Sequence, residues 1–425
     1  MIKKLCAILI ALVPMSGIRA QINPIKPYKP LNQIDFALNI SLGQDTASIA
    51  YKPDSFTNRS LLPIGLLATS IFYNDNDLDK RIIKLGGISS PEMKSANILQ
   101  YSPAGILYIM KIAGVESRSD WSRMITSHGA SVIIMTAITN AAKYSVKRER
   151  PDGRAFNSYP SGHTATAFMC AQMLNKEYGE TLSPWISVGG YGIAASTGIL
   201  RVVANRHWCS DVMAGAAVGI FSTELGYELT DILFGDHALK KPIIAPDIEQ
   251  MPRWKFGMYS DYSMKSQVFT SQGFGNPDAK PACSIGLDAS WMPWYIGPTV
   301  RAGITQMKWT GGKDIYLPDQ GSVADVFTLG AGFDVDIPLI DRISLNGQAI
   351  AGYSPSAHNY SFQDSPDIPY NTIEWEIPAG MHYYGNIGMT LRTSSFSSIS
   401  LHYGLDYYDK VWLSSVLGAR FNYTF

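Results

Sequence analysis

Residues 327–337 read FTLGAGFDVDI. Phe327, Leu329, Ala331, Phe333, Val335 and Ile337 fall on one side of a two-residue period, and Thr328, Gly330, Gly332, Asp334 and Asp336 fall on the other. Successive side chains of a strand point to opposite faces, so the segment is extended, with one apolar face and one polar or small face. The alternation returns at Trp254 to Met264, Cys283 to Trp291, Thr299 to Met307, Ile343 to Tyr353, Met381 to Leu391, Ile399 to Tyr407 and Leu417 to Phe425. Eight segments, each near the length that crosses a bilayer at a tilt, predict a closed antiparallel β-barrel.

Aromatic residues gather at the segment ends, at Trp291, Trp294, Trp309, Tyr353, Tyr407 and Tyr408, where a girdle at the membrane interfaces is expected. The last segment closes on Phe421, Tyr423 and Phe425, an aromatic-terminated alternation that resembles the closing strand of bacterial outer-membrane proteins. A soluble sandwich or small barrel would alternate too, but would turn its apolar face inward. The second face here is rich in Gly, Ser and Asn, which predicts a narrow lumen of small polar groups and no channel.

Upstream the period changes. Apolar clusters at helical spacing lie near Leu61 to Phe72, Ile98 to Ile112, Met124 to Ala142, His163 to Tyr178, Pro184 to Val203 and Asp211 to Leu233. Gly, Ser, Thr, Asn and charges interrupt each of them, which favours a packed helical unit over a bundle of membrane spans. Residues 235–252 break the pattern with Lys240, Lys241, Pro242 and Pro246 and read as a linker. At the start, MIKKLCAILIALVPMSGIRA combines two lysines, an apolar run and a small-residue end, the pattern of a secretory signal peptide matured near Gln21. The expected organisation is a signal peptide (1–20), a lead-in (21–59), a helical unit (60–235), a linker (236–252) and the barrel (253–425). The fold class is multidomain α + β, an N-terminal all-α helical bundle followed by a C-terminal eight-stranded antiparallel β-barrel.

Composition agrees. With 46% hydrophobic and 16% charged residues among 425, the chain is more apolar than an ordinary soluble enzyme, and its many Gly, Tyr and Trp suit strands in a membrane. Removing Lys3, Lys4 and Arg19 with the signal takes 35 basic and 35 acidic residues to 32 and 35, a net charge of −3, which argues against nucleic acid as a partner. Cys170, Cys209 and Cys283 would remain in the mature chain. An odd count forbids a complete disulfide framework; Cys170 with Cys209 is the one pair to test against three small buried hydrophobes.

Three clusters carry chemistry. Lys143 is followed after six residues by Arg150 and Pro151; Pro160, Ser161, Gly162 and His163 are consecutive; Arg201 is followed after five residues by His207 and after three more by Asp211. A phosphomonoester carries close to two negative charges, and its transfer asks mainly for positioning and for cations around the equatorial oxygens. Arg150 and Arg201 offer forked donors and Lys143 a point charge. The backbone N–H groups of Ser161, Gly162 and His163 add dipoles if that turn opens a helix. His207 is the candidate nucleophile, with Asp211 one helical turn on to receive the proton of its other ring nitrogen. His163 is the candidate acid for the leaving oxygen. Cations in so apolar a stretch imply an anion, since burying them unpaired is costly.

These residues resemble the type 2 phosphatidic acid phosphatase superfamily, which includes bacterial acid phosphatases, lipid phosphatases and vanadate-dependent haloperoxidases. The resemblance covers Lys143 to Gly215 and implies a helical bundle, a phosphohistidine at His207, acid catalysis by His163, and phosphate binding by Lys143, Arg150, Ser161, Gly162 and Arg201, with no metal and no cofactor. Leu200 stands where the family usually has serine, and Thr197, one turn earlier, is a substitute hydroxyl. The implied partners are a phosphorylated envelope lipid, lipid A or phosphatidylglycerol phosphate, and the outer membrane through the barrel, with the helical unit in the periplasm. The alternatives are a broad-specificity periplasmic acid phosphatase, a polyprenyl diphosphate phosphatase, placement in the inner membrane, and a barrel protein with a degenerate catalytic unit. Oligomeric state is left open.

Overall fold

The computed structural model describes residues 54–75, 94–151, 155–204, 206–240, 253–268, 279–309, 325–340, 342–361 and 373–425. The expected signal peptide, nearly all of the lead-in and most of the linker lie outside these residues.

Among the described residues seven helices precede the strands: α1 (Phe56–Asp75), α2 (Lys94–Leu99), α3 (Ser102–Ile112), α4 (Trp121–Val146), α5 (Gly162–Leu174), α6 (Pro184–Val203) and α7 (Cys209–Phe234). A π-helical turn, Asn175–Gly179, extends α5. Helix α7 is buried along almost its whole length, with α1, α4 and α5 packed around it. Small residues make this possible: a Cβ at Gly215 would lie 2.5 Å from the carbonyl oxygen of Ser161, so α7 crosses the start of α5 nearly backbone to backbone. Arg59 on α1 reaches Glu224 and Glu228 of α7 at 2.6 and 2.8 Å, and Lys176 adds a second cation to Glu224 at 2.9 Å. The buried carboxylate is thereby paired, as burial requires. Among the described residues no helix is long and apolar enough to cross a membrane.

The strands β1 (Arg253–Val268), β2 (Ala279–Met292), β3 (Ile296–Trp309), β4 (Asp325–Ile340), β5 (Ile343–Ser354), β6 (Ala357–Ser361), β7 (Ile373–Ile377), β8 (Gly380–Arg392), β9 (Ser397–Tyr408) and β10 (Trp412–Thr424) include all eight expected segments. β1 to β5 and β8 to β10 close into an antiparallel barrel, β1 pairing with both β2 and β10. The two short strands β6 and β7, five residues each and so shorter than a barrel-crossing segment, were not expected; they pair with each other in a separate antiparallel sheet between β5 and β8.

The two faces lie as a membrane barrel requires. On β4 the apolar Phe327, Leu329, Phe333 and Ile337 are exposed, while Asp334 and Asp336 are buried. A soluble barrel would invert this, because its apolar face must fill the core. The expected lumen of small groups is corrected: charged side chains cross it. Lys255 of β1 pairs with Asp334 of β4 at 2.8 Å, Arg420 of β10 with Asp288 of β2 at 3.2 Å, and Arg301 of β3 with Asp261 of β1, to which His402 of β9 also bonds at 2.7 Å. The Arg301 guanidinium lies between the rings of Tyr259 and Tyr384, 3.4 and 3.8 Å from their centroids. The girdle is corrected at one position, since Tyr408 is buried and stacks edge-on with Trp412 at 4.8 Å.

The helical unit lies along the outside of this wall. Ser260, Tyr262, Cys283, Ile285, Ala419, Phe421 and Tyr423, on β1, β2 and β10, are buried, and several share one core with α1, α5 and α7. Trp185 of α6 packs edge-on against Trp254, Phe256 and Phe425 at 5.2 to 5.6 Å, and Tyr191 against Phe421 at 5.9 Å.

Candidate active site

Helix α4 ends where the site begins. Lys147 takes a left-handed conformation (φ 48°) after its last turn, and the chain doubles back through Arg148 to Pro160. Lys143, on that last turn, donates to the Asn157 carbonyl at 2.6 Å, and Arg150 Nε donates to the Asn157 side-chain oxygen at 2.9 Å. One asparagine therefore holds two of the expected phosphate-binding cations in register.

Ser161 is the N-cap of α5, its hydroxyl accepting from Thr164, so Gly162 and His163 form the helix's first turn as expected. The Ser161 N–H donates to the Asp211 carbonyl at 2.9 Å, which ties this turn to α7. His163 is half-buried, and its Nε2 meets the Asn97 side-chain oxygen at 2.8 Å. Arg201, buried in the last turn of α6, accepts the His207 N–H at its carbonyl at 3.3 Å, so the loop between α6 and α7 folds back on that helix.

The expected helical spacing of His207 and Asp211 is corrected. α7 starts at Cys209, so His207 precedes the helix and Asp211 is its third residue. The Asp211 carboxylate caps the helix, accepting from Trp208 N at 2.9 Å, from Ser158 Oγ at 2.5 Å and from Arg148 at 2.8 Å. Asp211 Oδ2 stands 3.7 Å from His207 Nδ1, too far for a hydrogen bond. Nδ1 instead pairs with the Ser158 carbonyl at 2.9 Å; since a carbonyl only accepts, the proton sits on Nδ1 and the lone pair on Nε2.

The groups shift one another's proton affinity. Burial pushes His163 down to about 4, and Arg201, His207, Arg150 and Lys143 all act in the same direction. Lys143 falls to about 8 through burial and the neighbouring Arg150 and Arg201. His207 is lowered by burial, with Arg150 and Lys143 adding to it and Asp211 opposing. Burial works to raise Asp211, but Arg148, His207 and Ser158 outweigh it and hold the carboxyl below its usual range. Clustered cations beside two imidazoles of lowered proton affinity are the surroundings that favour a bound anion.

Sequence reasoning missed Arg148, Ser158, Asn157 and Asn97. Arg148 lies two residues before Arg150 in a basic run that reads as surface; the others are ordinary loop and helix residues whose roles arise from folding alone. Thr197 does not replace the absent serine hydroxyl: its Oγ1 donates to the Ile193 carbonyl of its own helix at 2.9 Å. Cys170, Cys209 and Cys283 are buried free thiols, and Cys209 lies 3.2 Å from Ser260 Oγ on β1 rather than against Cys170. Among the described residues no three His, Cys, Asp or Glu side chains cluster as a metal-binding group.

The helical unit that carries Lys143, Arg150, His163, Arg201 and His207 is similar to a known family: the model of the PAP2 superfamily matches residues 125–232. That stretch runs from α4 to α7. A lipid A 1-phosphatase of Porphyromonas gingivalis is 46% identical over 186 residues, 44% of this chain and 41% of the relative, so the chain spans less than half the length of that protein. Two crystal structures each overlap part of the chain. Aquifex aeolicus LpxE is 22% identical, covering 31% of this chain and 83% of the other, with a TM-score of 0.26. Ail, the attachment invasion locus protein of Yersinia pestis, is 16% identical, covering 41% of this chain and 100% of the other, also with a TM-score of 0.26.

Proposed function

We propose that this protein is a phosphatase that removes a phosphomonoester from an envelope lipid, lipid A foremost, through a phosphohistidine at His207. The observation that carries the reading is the tautomer: Nδ1 is committed to the Ser158 carbonyl, so Nε2 holds a lone pair beside Lys143 and Arg150. Nε2 attacks phosphorus, the bond to the leaving oxygen breaks, and that oxygen takes a proton from His163. Water then gives a proton to His163 and attacks phosphorus, and the P–N electron pair returns to Nε2. Lys143, Arg150 and Arg201, with the N–H groups of Gly162 and His163 at the start of α5, hold the equatorial oxygens; the expected Ser161 N–H is instead committed to the Asp211 carbonyl.

His163 needs a proton for the first step, and without a ligand its affinity is low. Burial is the larger cause and cation repulsion the smaller; a phosphate dianion among the same cations offsets the repulsion and adds its own attraction, so substrate binding favours charging the acid.

Support for a lipid comes from the similarity to the Porphyromonas gingivalis lipid A 1-phosphatase and from the outward apolar face of the barrel. An outer-membrane anchor, with a helical unit (60–235) exported by the signal peptide and placed on the periplasmic side, raises the local concentration of amphiphiles. Because the helical unit lies along the wall, a lipid moving beside the barrel meets it from the side.

The test is an assay of the purified protein in EDTA against lipid A, phosphatidylglycerol phosphate and p-nitrophenyl phosphate. Lipid A hydrolysis should persist under chelation and exceed the other two, vanadate should compete, and His207→Ala should lose ~10⁴-fold or more with no acid-quenched phosphohistidine. Wild-type turnover in His207→Ala would remove the nucleophile, and loss of activity on chelation would remove the mechanism.

A further inference from the structure

Arg148 belongs to none of the three motifs, yet it holds both groups that flank the His207 ring. Its Nη1 donates to Asp211 Oδ1 at 2.8 Å and to Ser210 Oγ at 2.6 Å, and its guanidinium lies 5.5 Å from the centroid of the Trp208 ring. Its backbone carbonyl accepts the Ser158 N–H at 2.9 Å. Ser158 in turn bonds His207 through its carbonyl and Asp211 through its hydroxyl. The side chain of one residue fixes the aspartate while its main chain fixes the serine.

Both oxygens of Asp211 are engaged, Oδ1 by Arg148 and Oδ2 by Ser158 and Trp208. To bond Nδ1 directly the carboxylate would have to close a gap of 3.7 Å and give up one of these donors. A carboxylate bonded to an imidazole raises its proton affinity strongly; one held back and neutralised by a guanidinium does so less.

We propose that Arg148 is a positioning residue for phosphoryl transfer, holding Asp211 short of His207 so that the nucleophilic ring stays neutral to lower pH than a directly bonded carboxylate would allow. The proposal rests on His207 being the nucleophile. The charged groups that face the ring are Asp211 on α7, Lys143 on α4, Arg148 and Arg150 on the segment that follows it, His163 on α5 and Arg201 on α6. A change at 148 leaves Lys143, Arg150, His163 and Arg201 in place, so its effect on the ring comes through Asp211 and the lost cation. Both act in one direction. Removing the cation and freeing Asp211 raise the ring's proton affinity, and since a protonated ring cannot attack phosphorus, activity is lost at a higher pH.

The experiment is the pH profile of kcat/KM for full-length wild type, Arg148→Gln and Arg148→Lys in detergent on p-nitrophenyl phosphate, with acid-quenched phosphohistidine measured alongside. The acid limb of Arg148→Gln should move up by about one pH unit, a ~tenfold loss on the acid side, with the plateau largely kept. Arg148→Lys, which keeps the charge but not the fork, should move less than half as far. An acid limb at the wild-type position with only a lower plateau overturns the proposal, because a purely structural role rescales the curve without shifting it. If Arg148→Gln loses cooperative thermal unfolding, Arg148→Lys decides alone, and an unmoved limb there overturns it equally. His207→Ala in the same assay separates the two readings: turnover that survives it removes the nucleophile, whereas a dead His207→Ala beside an unmoved limb removes only the role of Arg148.

Discussion

His163 and His207 are both imidazoles with lowered proton affinity, but their surroundings divide the labour. His207 is buried, with one nitrogen committed to a backbone carbonyl and a carboxylate close by; His163 is half-buried at the first turn of α5 and bonds only a side-chain amide among the described contacts. The first suits a group that becomes covalently modified, the second one that exchanges protons with substrate and water. This has a kinetic signature. His163→Ala should slow hydrolysis of an alkyl phosphate by ~10²- to 10⁴-fold, while p-nitrophenyl phosphate, whose leaving oxygen departs without a proton, should lose far less. Equal losses on both substrates, measured as kcat/KM, would remove His163 as the acid. At this level the motifs were legible because histidine, arginine and lysine at set gaps in an apolar stretch are chemically conspicuous. Ser158 and Asn157 were not, since a backbone carbonyl or an amide acquires its role from where the loop is placed.

Between elements, the contact that matters is α7 on α5. Ser161 N bonds the Asp211 carbonyl at 2.9 Å, and this bond needs the close approach at Gly215. Gly215→Val would put side-chain atoms against the Ser161 carbonyl and against Thr164, whose Cβ is 3.0 Å from the added Cβ position. We expect a cost of ~1–3 kcal/mol in stability from overpacking and a loss of kcat well beyond tenfold, because the anion-binding turn moves away from His207. Gly189→Ala on α6, where nothing lies within 4 Å, is the control and should leave kcat unchanged. A Gly215→Val enzyme with wild-type kcat would show that the turn does not depend on this crossing. The helices themselves followed from apolar periodicity, but His207 was placed on one because a gap of four residues to Asp211 mimics a helical turn. The chain satisfies the same gap with a cap: Asp211 turns back to the Trp208 N–H at the start of α7.

For the molecule as a whole, the barrel is braced from within. Ion pairs join β1 to β3, β1 to β4 and β2 to β10, so strands that are not neighbours in the wall are held together through the lumen. Arg301→Met would leave Asp261 buried with only His402 of its two partners in the lumen. Breaking such a pair costs ~3–5 kcal/mol, so the variant should lose the folded, fast-migrating gel band at a lower temperature than wild type. An unchanged transition temperature would show that the lumen pairs do not brace the wall.

Periodicity is a local property of the chain, and so the eight barrel strands, the helical unit and the direction of the apolar face were open to reading before any coordinates existed. The cations and histidines of the candidate site could be singled out for the related reason that their chemistry is carried by residue type. Partnership is not local. Asp261 and Arg301 are 40 positions apart, Arg148 and Asp211 63, and nothing in the neighbours of either member marks the other. Folding alone decided that the lumen is charged, that the carboxylate stands back from the nucleophile, and that α6 and α7 lie against the wall of β1, β2 and β10, because each depends on which surfaces meet when buried charge must be paired and apolar faces covered.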